Sequence, residues 1–134
     1  MEKLFNFWSV VTALIGGVIV QLVGGFDMVL KVLLIFMICD YITGIIKAVC
    51  NKTLSSEIGF KGLLKKIVIL IVVVVASTLQ RMTGGSIAIR EIVIMFYIAN
   101  EGISLLENAS EFIPLPEKLK DVLLQLRGDS DEHN

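Results

Sequence analysis

Leu4–Phe26 reads LFNFWSVVTALIGGVIVQLVGGF, 23 residues with no Asp, Glu, Lys or Arg. A run of 18 or more such residues reads as a membrane-spanning helix, because about 20 residues at 1.5 Å each cross the hydrocarbon layer. A soluble helix would bury one stripe of such a segment and not its whole surface. Met1-Glu2-Lys3 is a weak basic leader, and the apolar run exceeds the roughly 7–15 residues of a signal peptide. No small-x-small cleavage site precedes Asp27, so the segment is predicted as an uncleaved span. Phe5, Phe7 and Trp8 suit the water–lipid boundary. Ser9, Ala13, Gly17, Gln21 and Gly25 recur every four residues. Small residues in one stripe let helix backbones approach closely, so Ala13, Gly17, Gln21 and Gly25 are predicted packing positions.

The rest of the chain repeats the pattern. Of 134 residues 55% are hydrophobic and 19% charged, with a net charge of −1 and a mean hydropathy of +0.83. That excludes a soluble enzyme, and the balance leaves no basic footprint for nucleic acid. Three more apolar segments follow: Val29–Val49, Leu63–Met82 and Ile87–Leu106. The third segment has a Val/Ile-rich centre, Ile67–Gln80, that in water would suggest a strand. In a bilayer only helices and closed barrels satisfy the backbone, and the run is too long for a barrel strand of about 9–11 residues. Beyond Pro114 and Pro116, Leu119, Val122, Leu123 and Leu126 recur at three and four residues, which predicts a short amphipathic helix over Glu117–Arg127. Asp129, Asp131 and Glu132 close the chain as an acidic, disordered tail. The expected fold is an all-α membrane protein. It is a small bundle of three to four transmembrane helices plus a short amphipathic C-terminal helix, with residues 1–113 in the membrane part and 114–134 cytoplasmic.

Polar residues inside these segments carry the functional signal. An ionised Asp40 near the middle of Val29–Val49 costs about 2.5–3.5 kcal/mol, and twelve strong apolar residues return roughly 3.6–7 kcal/mol. The helix inserts, but Asp40 must face other helices or water. Lys47 is the expected partner on the same helix, with arginines and polar groups of neighbouring helices as alternatives. Thr43, Gly44 and Lys47 accompany Asp40 on one side. In the fourth segment Arg90, Asn100, Glu101, Ser104 and Asn108 form a second polar face, near Tyr97. Ten strong apolar residues there return only roughly 3–6 kcal/mol, so it is the weakest span; the other reading is a helix lying flat on the membrane. These residues are expected to line a polar pathway or a helix contact. A static bundle with interhelical hydrogen bonds of roughly 0.6 kcal/mol each explains the same pattern.

Lysines and arginines set the orientation. Lys47, Lys52, Lys61, Lys65 and Lys66 flank or occupy the connection between segments two and three, which is therefore cytoplasmic. With four spans, nine basic residues lie inside and three, Lys31, Arg81 and Arg90, outside. Both termini are then cytoplasmic.

No catalytic, cofactor-binding or metal site is expected. Asp40 and Glu101 lack an accompanying nucleophile or phosphate loop, and His133 stands alone in the tail. Cys39 and Cys50, 11 positions apart on one helix, are separated by about 16 Å, beyond the ~7 Å that a disulfide allows.

Asp40-Tyr41-Ile42-Thr43-Gly44, Ala48, Leu54-Ser55-Ser56, Gly59-Phe60-Lys61-Gly62 and Lys65-Lys66-Ile67 occur in order. They are followed by Phe96–Ser104, Glu107-Asn108, Pro114-Leu115-Pro116 and Lys118-Leu119. This ordered set resembles the phage-lysis and toxin-secretion holin family over about residues 29–127; the first segment matches only as a hydrophobic helix. The resemblance implies a small protein of the host bacterium's cytoplasmic membrane that forms a homo-oligomer and opens a timed lesion. An endolysin, or a large toxin, then crosses. It also implies a possible antiholin, which in some holins is a longer product from a second start; here the next methionine after Met1 is Met28. The family is usually drawn with three spans. Other classes compatible with the residues are a small ion or solute channel or transporter subunit, and a structural membrane subunit.

Overall fold

The computed structural model describes residues 1–128. The acidic tail and His133 lie outside the described residues. The chain forms α1 (Glu2–Leu22), α2 (Met28–Cys50), α3 (Ser56–Met82), α4 (Ile89–Ser110) and α5 (Glu117–Arg127), with no strand among the described residues. Three of them, α1, α2 and α3, are long and apolar enough to cross a membrane. The more polar α4 does not qualify by composition.

Local chemistry sets the boundaries. The Asp27 side chain accepts the Leu30 N–H at 3.2 Å and starts α2. Ser55 accepts the Ile58 N–H at 3.2 Å and starts α3, seven residues before the apolar run at Leu63 leads one to expect. Both are side-chain caps that satisfy an otherwise orphaned donor. α1 stops at Leu22, four residues short of the uncharged run's end, because Gly24 and Gly25 take φ of 89° and 108°. This corrects the packing stripe: Gly25 lies in the turn and leaves the helical face that Ala13, Gly17 and Gln21 share. After Pro114 and Pro116, α5 ends at Gly128, whose φ of 88° makes the left-handed cap.

The core lies among α2, α3 and α4. Each contributes a pair one turn apart: Leu33 and Met37, Ile69 and Val73, Ile94 and Ile98. Leu33, Val73 and Ile94 are fully buried. α2 and α4 run parallel, since Asp27 meets Arg90 at one end and Lys47 meets Glu111 at the other. α3 runs antiparallel to both and packs mainly on α4. The outward faces stay apolar: Ile35, Ile38, Ile42, Ile46 and Val49 of α2, and Val68, Ile71 and Val75 of α3, are exposed. Such a belt suits lipid. α1 buries none of its residues and is held near its C-terminal end, where the Arg81 guanidinium donates to the Gln21 carbonyl.

Candidate functional site

Two polar clusters lie at different heights in the bundle. The deeper one joins three helices. Lys66 of α3 donates to Asp40 of α2 at 2.7 Å and to Glu101 of α4 at 2.5 Å. Their side chains are 11%, 14% and 4% exposed respectively. The Asn108 amide reaches the second Asp40 carboxylate oxygen at 3.2 Å, and lies 3.2 Å from the Thr43 hydroxyl oxygen. Thr43 in turn donates to the Cys39 carbonyl at 2.8 Å. Two carboxylates thus share one ammonium between the helices, and the amide adds a bond to Asp40. Buried charges persist when they are paired and hydrogen-bonded. A partly open cavity of about 260 Å³ lies beside the cluster, lined by Asp40, Gly44, Gly62, Lys66, Ser104 and Asn108 among others. Tyr41 crosses its wall to donate to the Gly59 carbonyl at 3.2 Å.

The second cluster closes the opposite end. Arg90 of α4 grips Asp27 with two hydrogen bonds, at 2.8 and 3.0 Å. Its remaining donors reach the Val23 carbonyl at 2.5 Å and the Gly25 carbonyl at 3.0 Å. A bidentate fork of this kind is the strong form of an ion pair. Arg90 draws Asp27's carboxyl below the ordinary carboxylate value; partial burial works against this, and the Leu30 N–H assists it. Gly24 makes room, since a Cβ there would stand 2.5 Å from Arg90 Nε and 2.7 Å from the Ser77 hydroxyl. One arginine therefore fastens the α1–α2 turn to the bundle.

The sequence-expected residues divide between these places. Asp40, Thr43, Gly44, Glu101, Ser104 and Asn108 gather at the deep cluster and its cavity. Arg90 does not share their face: 11 positions separate it from Glu101, about 16 Å along the helix. Asn100 turns toward α5, where it accepts from Arg127 at 3.3 Å. Lys47 is not Asp40's partner; it pairs with Glu111 at 3.1 Å near the end of α2. Ala13 and Gly17 are exposed with no helix against them, Gly17 having open space around it, and Gln21 meets α3 through its carbonyl and Arg81.

Sequence reasoning missed Lys66, which it counted only among the lysines flanking the connection between segments two and three. Its signal was positional. Lys66, Ile69, Val73 and Ala76 recur at three and four residues, and all four are buried.

Comparison with known proteins converges on one group. A bacteriophage holin family matches residues 17–128. An uncharacterised 14.9 kDa protein of Clostridium perfringens is 42% identical, covering 96% of this chain and 98% of its own length. An uncharacterised protein of Listeria monocytogenes is 41% identical over 87% of this chain and 84% of its own. A probable holin of Bacillus phage phi105 is 33% identical over 77% of both chains. No solved structure matches. The family is one of membrane proteins and not of enzymes. The segments that build the deep cluster all fall inside the matched residues, and the chain belongs to the bacteriophage holin family.

Proposed function

We propose that this chain collects as a homo-oligomer in the cytoplasmic membrane of a host bacterium and opens a timed lesion. An endolysin, or a large toxin, then crosses, and an antiholin can restrain the step. The observation that carries this reading is the Lys66–Asp40–Glu101 cluster. A single bundle satisfies these groups internally, so it can rest in lipid. If the helices part during assembly, the same groups need water, and they then border a polar path.

The topology proposed with it has four spans and both termini in the cytoplasm. α4 enters the membrane as α2's partner: Arg90 and Glu101 turn inward, each 3% exposed, and its other charges, Glu91 and Glu107, lie toward its two ends. With Cys39 and Cys50 replaced by serine, Glu57→Cys and Ser130→Cys should be shielded from an impermeant outside reagent. Gly85→Cys should label. A labelled tail would remove one span.

The functional test is expression in a bacterium carrying a folded cytoplasmic reporter. Abrupt reporter release after a delay is expected; accumulation in the membrane without release at any time overturns the reading. Asp40→Asn should still insert, because a neutral amide is cheaper to bury, but should shift the moment or the extent of release. An unchanged schedule would make Asp40 a passive structural residue.

A further inference from the structure

α5 does not lead away from the bundle. After Pro114 and Pro116 it turns back and runs antiparallel along α4. Leu115, Pro116 and Lys120 lie beside Leu106 and Ser110, Leu123 meets Gly102, and Arg127 reaches Asn100. A Cβ on Gly102 would stand 2.9 Å from both Leu123 methyls and 3.1 Å from the Phe36 ring. Only glycine gives α5 this seat.

The seat is deep. Glu111, just past α4, meets Lys47 and Asn51, so the ends of α2 and α4 are level. Gly102 lies nine positions before Glu111, about 13 Å further in. Phe36 is 14 positions before Cys50, the end of α2, about 21 Å in. Yet α5 carries exposed Lys118, Asp121 and Gln125 on one flank and exposed Leu119, Val122 and Leu126 on the other. Charged side chains at membrane depth face protein or water, not acyl chains. The α4 side is already occupied by Leu123.

We propose that α5 is a re-entrant helix that forms part of the lesion's aqueous wall, with Lys118, Asp121 and Gln125 toward water and Leu119, Val122 and Leu126 toward lipid. Both the lesion and the membrane depth of α5 rest on the function and four-span topology proposed above. Nitroxides placed by Val122→Cys and Asp121→Cys, in the full chain with Cys39 and Cys50 replaced by serine, test it in phosphatidylcholine–phosphatidylglycerol vesicles. Position 122 should collide with oxygen at acyl depth, while 121, at the same level, collides with a water-soluble nickel chelate. Both labels at headgroup level, or both oxygen-dominated, overturns the proposal. In planar bilayers under a KCl gradient, Lys118→Glu with Gln125→Glu should raise the K⁺ over Cl⁻ permeability ratio several-fold. An unchanged ratio overturns it as well. A parent chain that conducts nothing would sink the lesion reading, and the nitroxide pattern would then still decide whether α5 borders water.

Discussion

α1 and α4 are nearly the same length, 21 and 22 residues, and opposite in how they pack. α1 has 19 uncharged residues from Leu4 to Leu22 and buries none of them. α4 carries Arg90, Glu91, Glu101 and Glu107, and it sits at the centre with Arg90 and Glu101 buried. In water the order would be reversed, because burial follows apolarity. In lipid the tails are as apolar as leucine, so an apolar helix gains little from a protein partner. A polar helix gains a great deal, since its charges have nowhere else to go. In this chain the helix with buried charges packs at the centre, and the helix that is charge-free from Leu4 onward stays uncovered.

Breaking the centre should therefore do the most damage. Lys66→Met keeps the length of the side chain and leaves two carboxylates without their ammonium. Removing one partner of a buried ion pair costs about 3–5 kcal/mol. The measurement is resistance to thermal unfolding in mild detergent. Lys65→Met, one position away and exposed, should change little. Equal effects for the two lysines would mean that the cluster contributes only membrane charge. Gly102→Ala comes next. Forcing a methyl against Leu123 and Phe36 should cost about 1–3 kcal/mol. It should lift α5 first, which makes Arg127 accessible to trypsin before the α2–α4 core opens.

The contrast between α1 and α4 also sets what the sequence revealed. Helix number, membrane character and the short C-terminal helix were legible, because charge-free runs and proline punctuation report local constraints. Asp40 and Glu101 stood out as polar residues within apolar segments. Lys66 did not, because it lies beside Lys65 at the segment's basic edge and its partners are 26 and 35 positions away. The Arg90–Asp27 fork was illegible too. It joins residues 63 positions apart, and the pairing follows from α2 and α4 being parallel, which no local pattern shows. Gly25 misled for the opposite reason: a regular spacing of four continued past the end of the helix.

The Arg90–Asp27 fork joins the two halves of the comparison, and acid weakens it. Asp27's carboxyl titrates below its ordinary value of 3.8, so the folded state binds its proton less well than the unfolded chain. The stabilisation is fully present above that ordinary value and is lost as pH falls through the lowered one. Asp27 is 46% exposed, so solvent screens the pair and the effect is modest. Backbone amide exchange at Gly24–Asp27, measured relative to the core, should be flat from neutral pH to about pH 5, after correction for intrinsic rates. It should rise in more acid solution. Asp27→Asn should show the raised exchange at all pH values. A parallel rise in the parent chain and in Asp27→Asn would assign the acid effect to another group.

The smallest expected effect on the folded chain is at Gly17. No atom outside its own helix lies within 4 Å of where a Cβ would stand, so Gly17→Leu meets nothing in the monomer. Glycine inside a helix is also unfavourable by roughly 0.8–1 kcal/mol relative to alanine. On local grounds alone, the substitution should leave the fold intact or slightly stabilise α1. Any loss must then come from contacts between chains, where a larger side chain would hold helix backbones apart. The test compares two readouts on the same preparation: thermal resistance of the bundle and the ladder of crosslinked species in membranes. Unchanged resistance with a shortened ladder, or with delayed lysis, assigns Ala13, Gly17 and Gln21 to assembly. An unchanged ladder makes the stripe ordinary membrane-helix composition, and α1 is then a lipid-facing anchor. A bundle destabilised by Gly17→Leu would contradict the contrast itself, because it would require α1 to pack on the core that it leaves uncovered.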